Sequence, residues 1–73
     1  MKTTEKLIGA RLKELRLSND YTLEQVGNKI GKTKKSIQLY ELGEVTISVE
    51  VLRQLTEDVY GIKIGTFLND VFK

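Results

Sequence analysis

Two consecutive units of the same design lie between residues 22 and 43, and they constrain the fold more than any other stretch. Each begins with a threonine, continues with apolar residues at helical spacing and ends with a glycine: Thr22 to Gly31, then Thr33 to Gly43. Threonine is a favoured helix N-cap, and glycine readily adopts the left-handed conformation that ends a helix. The stretch therefore predicts two short helices joined by a tight turn, which is a helix-turn-helix.

The first unit carries further signals of a helix start. Thr22 and Gln25 have the Thr-x-x-Gln spacing of a capping box, and Tyr21 and Val26 have the spacing of a hydrophobic staple. Val26 and Ile30 then define its inner face. The inner face of the second unit is predicted at Ile37 and Tyr40.

The rest of the chain also has helical periodicity. We expect a first helix over about 4–17, stopped by the segment 18–20, a fourth over about 48–60 capped by Ser48, and a fifth around 65–72. Lys63 is a poor cap, so the sequence does not define where the fifth begins. The predicted inward residues are Ile8, Leu12 and Leu15, then Leu52, Leu55 and Val59, then Phe67, Leu68 and Val71. Residues 1–73 are thus predicted to form a single all-α domain of five helices.

The composition excludes several classes of protein. There is no cysteine for a disulfide or thiolate metal site, and no histidine to serve as a general base. The Asp and Glu residues fall mostly on predicted solvent faces, and Lys35 and Ser36 point about 100° apart on a helix, which argues against a Ser–Lys dyad. We expect neither an enzyme nor a bound cofactor or small-molecule ligand. No apolar segment approaches a membrane span and the N-terminus lacks a signal peptide, so a cytoplasmic location is expected.

Charge is distributed unevenly, although the net charge is only +2. Residues 25–40 contain four lysines and no acid, whereas residues 41–58 contain five acids and one arginine. The lysines could simply form a solvated turn. However, Lys34 and Lys35 open the third helix, where cations oppose the helix dipole. Two together indicate an anionic ligand such as a phosphate backbone.

The chain resembles the Cro/repressor-type, or xenobiotic-response-type, helix-turn-helix family over about residues 7–68. The resemblance implies a compact five-helix, lambda-repressor-like domain with the helix-turn-helix in helices 2 and 3. Such a domain would bind double-stranded DNA. The resemblance rests on three groups of residues: the motif residues Gly27, Gly31 and Ile37, then Tyr40, Glu41 and Gly43 near the end of the third helix, and Ile8, Gly9, Leu12 and Leu15 in the first helix.

The resemblance implies a set of DNA contacts. Base edges would be touched by Lys34, Lys35 and Leu39, with Gln38 beside them, and Leu39 could contact a thymine methyl group. Phosphates would be held by Thr33, Lys32 and Lys29. Leu23 occupies a DNA-binding position where family members often carry a phosphate-binding glutamine. Flanking phosphates could also be reached by Lys2, Lys6 or Arg11.

Several residues depart from the family pattern. Besides Leu23, Leu42 replaces a polar residue and Glu44 stands where a basic residue is common. Six apolar residues are predicted to be exposed: Leu17, Leu23, Leu39, Leu42, Val45 and Val51.

This apolar surface supports two interpretations. In the first, a homodimer forms through 44–51 and the C-terminal helix with Val71 and Phe72, and represses transcription by binding a pseudo-palindromic operator. In the second, the chain is a protein-interaction module that binds another regulator without reading DNA.

Overall fold

The computed structural model describes residues 3–73, so Lys2, a predicted phosphate contact, lies outside the described residues. Within them there is no strand, which confirms the all-α prediction. The helices are α1 Thr3–Ser18, α2 Leu23–Ile30, α3 Lys34–Leu42, α4 Val49–Arg53 and α5 Ile64–Phe72, with a π-helical segment, Gln54–Val59, that continues α4.

The predicted caps form as the sequence indicates. The Thr22 side chain accepts from the Gln25 amide while the Gln25 side chain accepts from the Thr22 amide, so the capping box is complete. At the start of α3 the Thr33 hydroxyl accepts from the Ser36 amide, and Gly31 and Gly43 end α2 and α3 with φ of 70° and 71°. These contacts satisfy backbone groups that a helix end leaves unpaired, which is why the local sequence fixes both helices.

At least one side chain from each helix lies in the hydrophobic core. Full burial of such a side chain contributes roughly 1.5–3 kcal/mol, which makes these contacts the main stabilisation of a small domain. Its members are Ile8, Leu12, Val26, Ile37, Leu52, Leu55 and Phe67. Leu68 and Val71, also predicted to point inward, are partly buried against them.

The predicted fourth helix over 48–60 is α-helical only as far as Arg53. Beyond it the chain adopts the wider π turn, in which the Tyr60 amide donates to the Leu55 carbonyl at 3.1 Å. The wider turn breaks the 3.6-residue phase on which the prediction rested. Thr56 is fully buried, with its hydroxyl donating to the Arg53 carbonyl at 3.3 Å, and Val59 is partly buried against the core.

The start of α5 is set by a residue from the preceding segment. Lys63, at the N-cap position, makes no side-chain capping bond. Instead the Glu57 carboxylate accepts a hydrogen bond from the Ile64 amide at 3.1 Å. A carboxylate at a helix N-terminus also interacts favourably with the dipole. Glu57 lies seven residues before Ile64, the first residue of α5, and local capping patterns do not extend that far.

Helices α1 and α3 pack backbone to backbone. A Cβ atom on Gly9 would lie 2.4 Å from the carbonyl oxygens of Tyr40 and Glu41, and one on Gly43 would lie 2.8 Å from the Cα atom of Lys6. Both contacts are closer than any side chain allows. The glycines therefore fix the distance between α1 and the helix that carries most of the predicted site.

Candidate nucleic-acid interface

The outer face of α3 and the turn before it form a continuous polar surface. Lys32, Thr33, Lys34 and Lys35 are exposed, and Gln38 is exposed one turn further along the helix. Leu39 is half-buried, so only part of this side chain faces solvent. Five of the predicted contact residues thus lie together on one accessible surface.

The first turn of α3 is suited to hold an anion. The Thr33 hydroxyl accepts from the Ser36 amide at 3.1 Å, and the first intrahelical bond runs from the Ile37 amide to the Thr33 carbonyl at 3.2 Å. The amides of Lys34 and Lys35 precede that bond, which leaves them for an external acceptor. Backbone amides in this position are a common anion-binding element of proteins.

The lysines at this turn are not neutralised by neighbours. The first turn of α3 contains no acidic residue. Among residues 3–73, none of the salt bridges involves Lys32, Lys34 or Lys35. Three exposed ammonium groups within four residues create a local positive potential that attracts polyanions.

Lys29 lies in a different environment from the other lysines. Its Nζ atom is 5.0 Å from the centroid of the Tyr21 ring, a cation–π contact, and the Tyr21 ring packs against Tyr60 with centroids 6.3 Å apart. Such a contact contributes about 0.5–1 kcal/mol at an exposed site. The structure therefore places Lys29 beside the α1–α2 connection, with its ammonium group partly engaged.

A bidentate ion pair that the sequence reading missed holds α3 in place. The Arg16 Nε and Nη2 atoms donate to the two Glu41 carboxylate oxygens at 2.7 and 3.1 Å, and Arg16 Nη1 donates to the Tyr21 carbonyl at 3.0 Å. Their side chains are only 11% and 6% exposed. Glu41 is therefore a clear exception to the expectation of acids on solvent faces.

Helical spacing could have revealed this pair. Arg16 continues the stripe of Ile8 and Leu12 at i+4, and Glu41 follows buried Ile37 at i+4. Two opposite charges that continue inner faces of neighbouring helices are expected to pair, because an unpaired charge there would lose its hydration.

Hydrogen bonding and burial shift two pKa values around this pair. The hydrogen bond that Arg16 donates to Glu41 is the main reason why the pKa of Arg16 is raised, which keeps the guanidinium charged. Burial raises the pKa of the Tyr60 phenol to about 12, and the nearby Glu41 charge adds to the shift. The network around α3 thus consists of a fixed ion pair and a neutral phenol at ordinary pH.

Gly27 determines how closely α2 approaches the turn. A Cβ atom there would lie 2.5 Å from the Lys32 carbonyl oxygen, so only glycine fits without moving the turn. This residue sits inside α2, where glycine is unfavourable by roughly 1 kcal/mol. The close approach it permits is what positions the lysines of the turn relative to α2.

A cleft of about 210 Å³ lies where α1, the start of α2 and α3 meet. Its mixed lining combines Leu23 and Leu42 with polar and charged groups from Lys13, Arg16, Gln38 and Glu41. The two leucines that depart from the family pattern thus border one depression.

Of the six apolar residues predicted to be exposed, three are exposed. Leu17, Leu42 and Val45 are exposed, whereas Leu23, Leu39 and Val51 are half-buried. Leu23 and Val51 pack against the core. Leu7, Val49 and Phe72 are also exposed.

Residues 3–73 contain no group of three or more acidic side chains arranged to hold a metal ion. None of the helices there is long and apolar enough to cross a membrane.

Comparison with known proteins agrees with this geometry. The model of the helix-turn-helix family matches residues 12–65. A protein of Pyrococcus abyssi is 41% identical over 49 residues, which cover 67% of this chain and 16% of that protein. Proteins of Pyrococcus horikoshii and Pyrococcus furiosus are each 39% identical with the same coverage. All three bear provisional names as HTH-type transcriptional regulatory proteins, and this chain spans only 16% of their length. No solved structure matches the chain.

Proposed function

Since the chain belongs to the helix-turn-helix family, we propose that it is a sequence-specific, DNA-binding transcriptional regulator. The observation that carries this proposal is the start of α3, where Lys32, Lys34 and Lys35 are exposed and unpaired beside free backbone amides. Neither enzymatic activity nor a cofactor is part of the proposal.

The proposed binding mode places the start of α3 in the major groove. The groove is about 12 Å wide and admits one helix, whose N-terminal residues reach the base edges. Lys34 and Lys35 would contact bases, while Lys32 and the amides behind Thr33 hold phosphate. Gln38 and the exposed part of Leu39 would follow one turn later, where Leu39 favours a thymine methyl group. In this mode Lys29, held at Tyr21, would contribute charge at the flank.

We further propose a cytoplasmic repressor that binds a pseudo-palindromic operator as a homodimer. Two-fold dimers of this motif read half-sites about one helical turn apart. Exposed apolar residues suited to such an interface occur in the segment 44–51 and at the C-terminus: Val45, Val49 and Phe72. Occupancy of a promoter would then block transcription.

A second candidate function is a module that binds another regulator without reading DNA. The observation that favours it is the cleft beside α3, where Leu23 and the exposed Leu42 offer apolar surface to a protein partner. The unpaired lysines favour DNA, because an apolar partner would have to desolvate them.

Salt-dependent binding to a mixed-sequence duplex distinguishes the two functions. We expect the wild type to bind with a steep negative slope of log affinity against log salt, about −0.9 for each phosphate neutralised. On a mixed-sequence duplex most sites lack the matching bases, so the Lys34 and Lys35 ammonium groups neutralise phosphates there. Lys34→Ala/Lys35→Ala should therefore bind more weakly with a shallower slope. Fluorescence anisotropy of a labelled duplex measures both quantities.

A charge-matched control isolates the position of the lysines from their number. Lys63→Ala/Lys73→Ala removes the same charge from exposed residues around α5 and should leave the slope almost unchanged. An equal loss in both double variants would show that binding depends on the number of lysines and not on their position at the start of α3. Absence of wild-type binding at low salt would overturn the DNA-binding proposal in favour of a protein partner.

A further inference from the structure

Helix α3 carries charges at both ends that oppose its dipole. Lys34 and Lys35 lie at its start, where the dipole is positive, and its first turn contains no acid. At the other end, where the dipole is negative, Glu44 follows the Gly43 cap, and the last turn contains no basic residue. Since both placements are unfavourable for the helix itself, they indicate a role in binding a charged partner.

Glu44 is held close to the carbonyl end of α3. Its backbone amide donates to the Leu39 carbonyl at 3.0 Å. The residue is exposed, and among residues 3–73 none of the salt bridges involves it. Lys6, whose Cα atom lies beside Gly43, does not pair with it either. The end of α3 thus presents a negative charge that no neighbour in this part of the chain neutralises.

The two ends of α3 are far enough apart for DNA to distinguish them. Leu42, the last residue of the helix, lies about 12 Å along its axis from Lys34, at 1.5 Å per residue. Exposed charges are screened over about 10 Å at 0.1 M salt. In the proposed binding mode the start of α3 is nearest the DNA, so the charge on Glu44 acts mainly on complexes in which the other end approaches the phosphates.

We infer that Glu44 is a specificity-determining residue, which repels the phosphate backbone and disfavours complexes in which α3 does not enter the groove by its start. The inference rests on the proposed function, because it concerns the same helix. Non-specific complexes are held by phosphate attraction and sample several orientations, whereas a sequence-specific complex has one. Loss of the Glu44 charge should therefore strengthen non-specific binding more than specific binding.

The test compares a duplex that the wild type selects from a random-sequence pool with the mixed-sequence duplex. On the mixed-sequence duplex at about 50 mM salt, Glu44→Gln should bind about 2-fold and Glu44→Lys about 5-fold more tightly than the wild type. On the selected duplex the gain of Glu44→Lys should stay below about 2-fold, so that the ratio of the two affinities falls. Both gains should shrink as the salt concentration rises, because the repulsion is screened.

Asp58→Lys is the charge-matched control. Asp58 is an exposed acid on the π-helical segment, outside α3, and its reversal should leave the ratio of affinities unchanged. An equal fall in Asp58→Lys and Glu44→Lys would show that only the total charge matters and would overturn the inference. Because Glu44 is exposed and its charge opposes the dipole, its variants should melt at no lower temperature than the wild type.

The outcomes separate the role of Glu44 from the DNA-binding function. If the wild type prefers its selected duplex and Glu44→Lys keeps the same ratio, the role of Glu44 is wrong and the function stands. Sedimentation equilibrium should show the same assembly for Glu44→Lys and the wild type. A difference would assign the effect to the proposed dimer segment 44–51 and count against the inference. Absence of wild-type binding, or of any selected sequence, would overturn the sequence-specific function together with the inference.

Discussion

Among single residues, Arg16 and Glu41 depend on each other most strongly. Removing one partner of a buried ion pair leaves the other charge without water or counter-ion, which costs about 3–5 kcal/mol. We therefore expect Arg16→Ala to lower the free energy of unfolding by about that amount, a large share of what a domain of this size has. Urea unfolding followed by circular dichroism measures the loss.

The double variant Arg16→Met/Glu41→Leu is the matched comparison. Apolar residues of similar volume need no counter-charge, so this variant should be clearly more stable than Arg16→Ala. If the two variants are equally unstable, the stabilisation comes from packing of the Arg16 side chain or its bond to the Tyr21 carbonyl, and not from charge pairing.

Ionisation of Tyr60 should make the stability of the protein depend on pH in the alkaline range. Its pKa is about 12 in the folded state against 10.0 ordinarily, so the folded state holds the phenolic proton more tightly. Stability from this group is complete below pH 10 and is lost as the pH rises from 10 to 12. Tyr60→Phe cannot ionise and should lose less stability than the wild type between pH 9 and about 11.5. A constant difference in unfolding free energy across this range would contradict the assignment.

At the scale of helices, replacement of glycine by alanine should have opposite effects on stability at two positions, Gly27 and Gly65. Gly27→Ala should destabilise the protein by about 1–3 kcal/mol, since the new methyl group meets the Lys32 carbonyl. Gly65→Ala in α5 meets no atom within 4 Å and should stabilise it by up to about 0.5–1 kcal/mol. Thermal melts of both variants test this. Stabilisation by Gly27→Ala would show that the turn at Lys32 can move away from the new methyl group at little cost in free energy.

The boundaries of α2 and α3 could be predicted because their determinants are local. Thr22, Thr33, Gly31 and Gly43 act within the helix that they begin or end. The start of α5 depends instead on the Glu57 carboxylate, whose position follows from how the preceding segment folds.

The sequence analysis missed two features, the π turn at 54–59 and the buried Glu41. A uniform 3.6-residue period cannot describe the wider turn, and Glu41, although it continues the inner face of α3, was expected on a solvent face because it is charged. At the candidate site, the sequence predicted contact residues on α3, and only the packed structure brings Lys13 on α1 beside Gln38.

For the whole molecule, the accessible surface of 4607 Å² is close to the roughly 4,600 Å² expected for a compact monomer of this mass. The described chain therefore buries its core without a partner, and the proposed dimer would bury surface that is accessible in the monomer. Its assembly should depend on concentration.

Val49 provides the test of that dimer. It is 76% exposed at the start of α4, within the proposed interface. Val49→Lys should shift the protein toward monomers in sedimentation equilibrium while leaving its melting temperature at high dilution unchanged. Asn28→Lys, which adds the same charge on exposed α2, should assemble like the wild type. Equal behaviour of both variants would place the dimer contact elsewhere.

The ion pair between α1 and α3 also bears on how such a sequence can evolve. Any single substitution of Arg16 or Glu41 leads through a form with a lone buried charge, whereas a joint change to apolar residues avoids it. Descendants of this chain should therefore keep both residues or replace both, so that two positions 25 residues apart are inherited as one character.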